Sequence, residues 1–337
     1  MLVLGIETSC DETAVSLVEG TDVLSSEVSS SVHLHSQYGG VVPEIASRFH
    51  TEYILSVFRK TFKDAGKKLE EVDLIAVTKG PGLPGSLLVG IAFAKAVSFT
   101  LDVPLVGVNH IHAHIFSCFL DRRGSAPLDD IFPFLGMVIS GGHTNIYSCN
   151  SLEDLRLLGR TRDDAVGEAF DKVAKILGLQ YPGGPVVEER ASGDFKGEVI
   201  DFPRALLKDS PGIDFSFSGI KTAVMYHWKD AVKTDEEINR ICFSFQEAIV
   251  DTIDHKIAAA LDITGAGRLA VGGGVLNNGR LRSGIIKRCE KAGAELFLPD
   301  KKYCSDNAAM IAYLGSEMYM KGRRSDLYLN AEPDLKL

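Results

Sequence analysis

Apolar residues in this chain gather in short runs, separated by glycine-rich turns and by longer runs of helical period. "LVLGIE" (2–7) predicts a buried strand, "SCDET" a tight turn and "AVSLVEG" the returning strand of a hairpin. "VDLIAVTKG" (72–80) predicts a third strand, followed by the loop "PGLPG", a helix from Ser86 to about Thr100, and another strand in "VPLVGVN" (103–109). Strand, helix, strand in that order implies right-handed α/β units on a largely parallel sheet. The pattern then restarts. "FLGMVISGGHTNIYSC" (134–149) repeats strand, small-residue turn, strand, and "GRLAVGGGVLNNGRLRSGIIKRC" (267–289) repeats strand, glycine loop, helix. A duplicated α/β lobe is implied, with "DRRGSAPLDD" (121–130) as the linker.

One stretch stands out from this rhythm. "NHIHAHIFS" (109–117) sets three of the nine histidines at alternate positions. On a strand all three would share a face; on a helix only His110 and His114 would, one turn apart. Asn109 is a good N-cap, and "IHAHIFSCFLDRR" has the length and basic end of a helix. The prediction is therefore a helix that pairs His110 with His114 and turns His112 away. A strand handing over to a helix is where α/β folds commonly place their sites, so the pair is a candidate for holding a metal ion. Two packed histidines are the alternative, and the better account of His112. The spacing invites comparison with HExxH metalloproteases, but Ile111 stands where their general base would.

The glycine loops divide into two kinds. "GPGLPG" (80–85) has the formal dinucleotide spacing, yet two prolines stiffen it and no acid follows the next strand, so a tight strand-to-helix turn is the better reading. In "VISGGHT" (138–144) and "GGGVLNN" (272–278), glycines just after a strand would let backbone N–H groups approach a phosphate or ribose. Ordinary turns are the alternative for either one. "DDAVGEAFDKVAKILGLQYPGGPVVEE" (163–189) places Asp171 on an amphipathic helix, then a Gly-Gly turn, then Glu188. Such acids are usually solvated, or else hold a sugar or an amine.

Composition narrows the class. The 337 residues are 45% hydrophobic and 24% charged, as in a soluble protein of two ordinary lobes. Glu7, Asp11 and Glu12 interrupt the apolar N-terminus, which excludes a secretory signal, and the uncharged run 80–94 is too short to span a bilayer. Six scattered cysteines with no CxxC pair indicate free thiols in a reducing cytosol. A net charge of −9 argues against unaided nucleic-acid binding, although Lys321, Arg323 and Arg324 make a local basic patch.

"LGIETSCDETAVSLV", "YGGVVPEIASRFH", "KGPGLPGSLLVG", "NHIHAH", "VISGGHT", "GEAFDKVAKILGLQYPGGP", "FSFSGIKTA", "GGGVLNNGRLR" and "CSDNAAMIA" together resemble, nearly end to end, the bacterial tRNA N6-adenosine threonylcarbamoyltransferases, once described as glycoprotein endopeptidases. The resemblance implies an α/β fold of two duplicated lobes of the actin-like ATPase superfamily. Residues 1–125 would form the first lobe, 126–304 the second, and 305–337 a C-terminal helix and tail. It implies transfer of a threonylcarbamoyl group from threonylcarbamoyl-adenylate to N6 of adenosine 37, in tRNAs reading codons that begin with A, with release of AMP. One divalent metal ion per subunit, iron(II) or zinc(II), would be held by His110, His114 and the Asp306 of "SDN", with Ser305 capping a helix that has Asp306 in its first turn. Adenylate-binding positions fall on Val138, Ile139, Ser140, Gly141, Gly142, Asp171, Gly184, Glu188 and Asn278. Archaeal and eukaryotic relatives carry a metal-binding Tyr at the position of Val138, so one fewer protein ligand is expected.

No nucleophilic Ser or Cys is needed, because a mixed anhydride already carries a good leaving group. Asp11 and Glu12 are the catalytic candidates, by analogy with the phosphate loop of actin-like ATPases; two exposed turn acids are the alternative. Implied partners are tRNA, a paralogous actin-like protein and a small P-loop ATPase, the last fitting the absence of any GxxxxGK[ST] motif here. No membrane is expected. A metalloprotease and a small-molecule kinase of the same fold stay open as alternatives.

Overall fold

β1 (Leu2–Glu7) is apolar up to its last residue because both faces of the strand are covered. In the computed structural model, which describes residues 1–122, 126–192, 197–206 and 212–335, it sits at the centre of a five-stranded sheet. β2 (Glu12–Glu19) returns antiparallel beside it and β3 (Asp22–Ser30) extends the hairpin. On the other side β4 (Leu74–Gly80) and β5 (Leu105–Asn109) run parallel to β1, giving the order β3-β2-β1-β4-β5. The sheet is thus mixed rather than largely parallel: the N-terminal hairpin contributes three antiparallel strands before the α/β units begin.

The chain divides into two compact units, Met1–Asp130 with Leu298–Leu337, and Ile131–Phe297. Residues 126–130 and 298–304, assigned to the second lobe by the sequence, fall in the first unit, and residues 123–125 of the linker lie outside the described residues. The C-terminal helix is part of that first unit too. Ala308–Met320 packs on the sheet formed by β1, β2, β4 and β5. The approach is close: a Cβ on Gly5 would sit 2.1 Å from the Ala308 carbonyl oxygen, and one on Gly315 would sit 2.4 Å from Ala76 Cβ.

Helices Pro43–Ala65 and Pro84–Leu101 pack against each other and against β2–β4, burying Ile54, Val57, Leu87, Ile91 and Ala94 with the strand side chains. The second starts at Pro84 rather than Ser86, since proline suits the first helical position. Among the described residues it is long and apolar enough to cross a membrane, yet it forms part of this core.

In the second unit β6 (Phe134–Ile139), β7 (Thr144–Ser151) and β8 (Asp154–Arg160) repeat the antiparallel part, and β9 (Arg268–Gly272) with β10 (Glu295–Phe297) the parallel part. The order β10-β9-β6-β7-β8 is the first sheet's order read from the other edge. The duplication inferred from the sequence is therefore a duplication of topology. Helices Val166–Leu177, Gly183–Ala191, Ser218–Asp230, Asp235–Thr264 and Gly279–Ala292 belong to this unit.

Candidate metal centre and glycine loops

β5 ends at Asn109, whose side-chain oxygen accepts from the backbone N–H of Ile111 (2.8 Å) and His112 (3.1 Å), starting a helix at His110. That helix is shorter than expected. It ends at Phe116 and tightens into a 3-10 turn, Ser117–Phe119, where the Ser117 hydroxyl donates to the His114 carbonyl at 2.7 Å. The first turn is enough to stack the two imidazoles edge to face, 4.7 Å apart, both buried.

Asp306 completes a trio. Its Oδ1 lies 3.0 Å from His114 Nε2 and 3.6 Å from His110 Nε2, and one ligand atom from each residue lies within 4.8 Å of the others. Asp306 is not in the first turn of the C-terminal helix, and Ser305 is not the cap. Asn307 takes that role, accepting from Met310 N at 3.0 Å, which leaves Asp306 just outside the helix. The trio, two buried imidazoles and one half-buried carboxylate, fits a divalent metal ion. His112 is not a member: it is half-buried, and burial pushes its pKa down to about 4.

The sequence reading missed Glu7. Its carboxylate is buried and accepts from His110 Nδ1 at 2.9 Å and from the Thr78 hydroxyl at 2.5 Å through Oε2, and from Ser9 N at 2.5 Å through Oε1. Burial alone would depress the pKa of His110, but the carboxylates of Glu7 and Asp306 raise it to about 9. Two carboxylates on either side of His110 make its surroundings electronegative. A charged last residue in an otherwise apolar strand was the one signal in the sequence.

Asp11 and Glu12 are not exposed turn acids. Asp11 is buried, and Glu12, at the start of β2, is half-buried with its carboxylate accepting from the Ser30 hydroxyl at 3.2 Å. Burial, then the negative charges of Asp11 and Asp306, hold the Glu12 carboxyl well above the usual carboxylate range. Both acids therefore belong to the electronegative surroundings of Asp306.

In the second unit the expected positions collect at the ends of β6 and β9. Val138 and Ile139 are fully buried strand residues, so their side chains are not open to a ligand and only backbone atoms remain; Val138 has no ligating atom. Ser140 N already donates to the His143 carbonyl (2.8 Å), which removes it from the set of amides expected to meet a phosphate. Gly141 and Gly142 are exposed, and a Cβ on either would meet nothing. Asp171 Oδ1 accepts from Gly183 N (2.7 Å), fixing the turn that carries the open Gly184. Glu188 Oε1 accepts from Gly279 N (2.6 Å), while Asn278 caps the same helix through Leu281 N (2.9 Å) and donates to Gln246 (2.8 Å). The second glycine loop starts against the end of β6. Gly273, at φ +108°, is so close to Ile139 that an added Cβ would lie 2.4 Å from its carbonyl oxygen.

The chain has known relatives. Residues 22–313 match the TsaD family, described as tRNA N6-adenosine threonylcarbamoyltransferase. The chain belongs to the TsaD family. A tRNA N6-adenosine threonylcarbamoyltransferase of Thermodesulfovibrio yellowstonii is 47% identical over 342 residues, covering all of both chains. One from Syntrophus aciditrophicus is 45% identical, covering 98% of this chain and 96% of the other. Among solved structures, full-length HypF in a phosphate- and nucleotide-bound form aligns over 94% of this chain and 55% of its own, at 14% identity and a TM-score of 0.60. HypF from T. kodakarensis aligns over 95% of this chain and 48% of its own, at 15% identity and a TM-score of 0.59. These two likenesses concern the fold alone, the actin-like α/β type. This TsaD-family chain is accordingly a transferase with tRNA as its substrate, which replaces the peptidase and kinase alternatives.

Proposed function

We propose that this TsaD-family transferase takes its threonylcarbamoyl group from threonylcarbamoyl-adenylate, passes it to N6 of adenosine 37 in tRNAs reading codons that begin with A, and releases AMP. The single observation that carries this reading is the convergence of buried His110 and His114 with Asp306. A divalent ion held by those three would supply a Lewis acid, and its two-histidine, one-carboxylate set suits iron(II) or zinc(II). The amides of Gly141 and Gly142 and the Ser140 hydroxyl hold anionic oxygens of the adenylate, with Val138 and Ile139 contributing backbone only. Asp171, Gly184, Glu188 and Asn278 hold its nucleoside part. Asp11 and Glu12 are the candidates for receiving the N6 proton; burial and neighbouring carboxylates raise the Glu12 carboxyl, which makes its carboxylate the stronger base.

A paralogous actin-like protein and a small P-loop ATPase would act with it in the cytosol. The net charge of −9 supports partners that supply basic surface for tRNA. Native mass spectrometry with threonylcarbamoyl-adenylate, read beside elemental analysis, tests the proposal. One adenylate and one metal ion per chain are expected. His110→Ala, His114→Ala and Asp306→Ala should each lose the metal, and His112→Ala should keep it. Metal retained by all three variants would overturn the assignment.

A further inference from the structure

Glu7 closes a strand whose other side chains are apolar or absent, and only 1% of it is exposed. A carboxylate in that position is tolerated only with its oxygens satisfied. One of its partners leaves no ambiguity about direction. The Ser9 N–H can only donate, and at Oε1 it does so at 2.5 Å. The Thr78 hydroxyl donates to Oε2 at 2.5 Å, and together they lock the carboxylate in place as an acceptor. His110 Nδ1, 2.9 Å from the same Oε2, must then be the protonated ring nitrogen. That leaves the lone pair of a neutral His110 on Nε2, the atom that faces Asp306.

We propose that Glu7 is the positioning residue of the metal centre: it fixes both the tautomer and the ring orientation of His110, so that Nε2 is presented to the ion. The role rests on the metal reading given above. It follows a general pattern, in which a carboxylate on the far nitrogen of a ligating histidine orients the ring and raises its basicity. The two histidines are unequal in this respect. His114 meets the Asp306 carboxylate through Nε2, but its Nδ1 is buried with no hydrogen-bond partner among the described residues, so no group on the far side of the ring orients Nε2 toward an ion. Affinity is therefore controlled from the His110 side, by a strand residue more than a hundred positions away in the sequence.

The test is zinc affinity of the full chain, measured by chelator competition for wild type, Glu7→Gln, Thr78→Val and His114→Ala. Glu7→Gln should raise the zinc dissociation constant about 10- to 100-fold while the metal-free variant still unfolds cooperatively. Thr78→Val removes a bond to the same carboxylate but leaves His110 its acceptor, and should cost much less. A nitrogen-15 histidine spectrum of the zinc-loaded wild type should show an exchange-protected Nδ1–H on His110 that exchanges faster in Glu7→Gln. Wild-type affinity in Glu7→Gln, or an equal loss in Thr78→Val, would overturn the role while leaving the metal centre intact. If His114→Ala binds zinc as tightly as wild type, the metal centre itself is gone, and the role of Glu7 with it.

Discussion

The turn after β1 and the turn after β6 occupy the same place in two sheets of the same topology, yet they are chemically opposite. The first, Thr8 to Asp11, is rich in side chains and nearly all buried, and it lies beside Glu7, His110 and Asp306. The second, Ser140 to His143, offers exposed glycines whose only chemistry is the peptide bond. Duplicated lobes thus need not keep duplicated sites. A buried turn can preorganise carboxylates and imidazoles by fixing each to several partners, whereas an exposed glycine turn can lie flat against a ligand.

The strongest test of that contrast exchanges one glycine in each unit. Gly5→Ala should destabilise the chain by about 3 kcal/mol or more, because its Cβ would sit 2.1 Å from the Ala308 carbonyl oxygen and the helix must move. Gly141→Val should leave chemical-denaturation midpoints almost unchanged, since a Cβ there meets nothing, while calorimetry shows AMP-like ligands no longer binding. Ligand affinity unchanged by Gly141→Val would remove that loop from the site and leave the contrast without its functional half.

A second expected effect is on the acid side of the stability profile. The pKa of His112 is pushed down to about 4 by burial, from an unfolded value near 6.5. Its neutral form therefore contributes stability that is present above pH 6.5 and lost as the pH falls from there toward 4, at most about 3 kcal/mol. His50 is buried and lowered in the same direction. Equilibrium unfolding of His112→Ala should show a shallower loss between pH 6.5 and 4, with metal content unaffected. A profile as steep as that of wild type would mean that His112 is protonated in the fold.

The smallest effect compares two caps. Asn109→Ala and Asn278→Ala each remove a side-chain acceptor at a helix start, and each should cost about 1 kcal/mol of stability. If Asn278→Ala also weakens adenylate binding by more than its stability change explains, Asn278 touches the ligand as well as the helix. If it does not, Asn278 is a cap alone.

Much of this was legible in the sequence because it is local. Both hairpins, the glycine turns after β6 and β9, the Asn109 cap and the pairing of His110 with His114 follow from periods of two and 3.6 and from capping chemistry. The extent of the histidine helix was not, since a serine back-bond and a 3-10 turn ended it early. The parallel character of the sheet was overestimated because β3 and β8, each paired antiparallel to the strand just before it, were not read as strands.

The sequence by itself determined which ligand types were available and, through motif resemblance, which family they served. Resemblance already grouped Asp306 with the two histidines; only the tertiary structure brought it within 3.0 Å of His114 from 192 residues away, and showed that Glu7, from the far end of the chain, grips the other side of His110. The reason is that a side chain's partners across a sheet are set by strand order and by the path of the returning C-terminal helix. No local pattern encodes either. Packing then turned an ordinary glutamate and histidine, with Asp306 beside them, into a mutually oriented set, because hydrogen bonds are stronger where water is excluded.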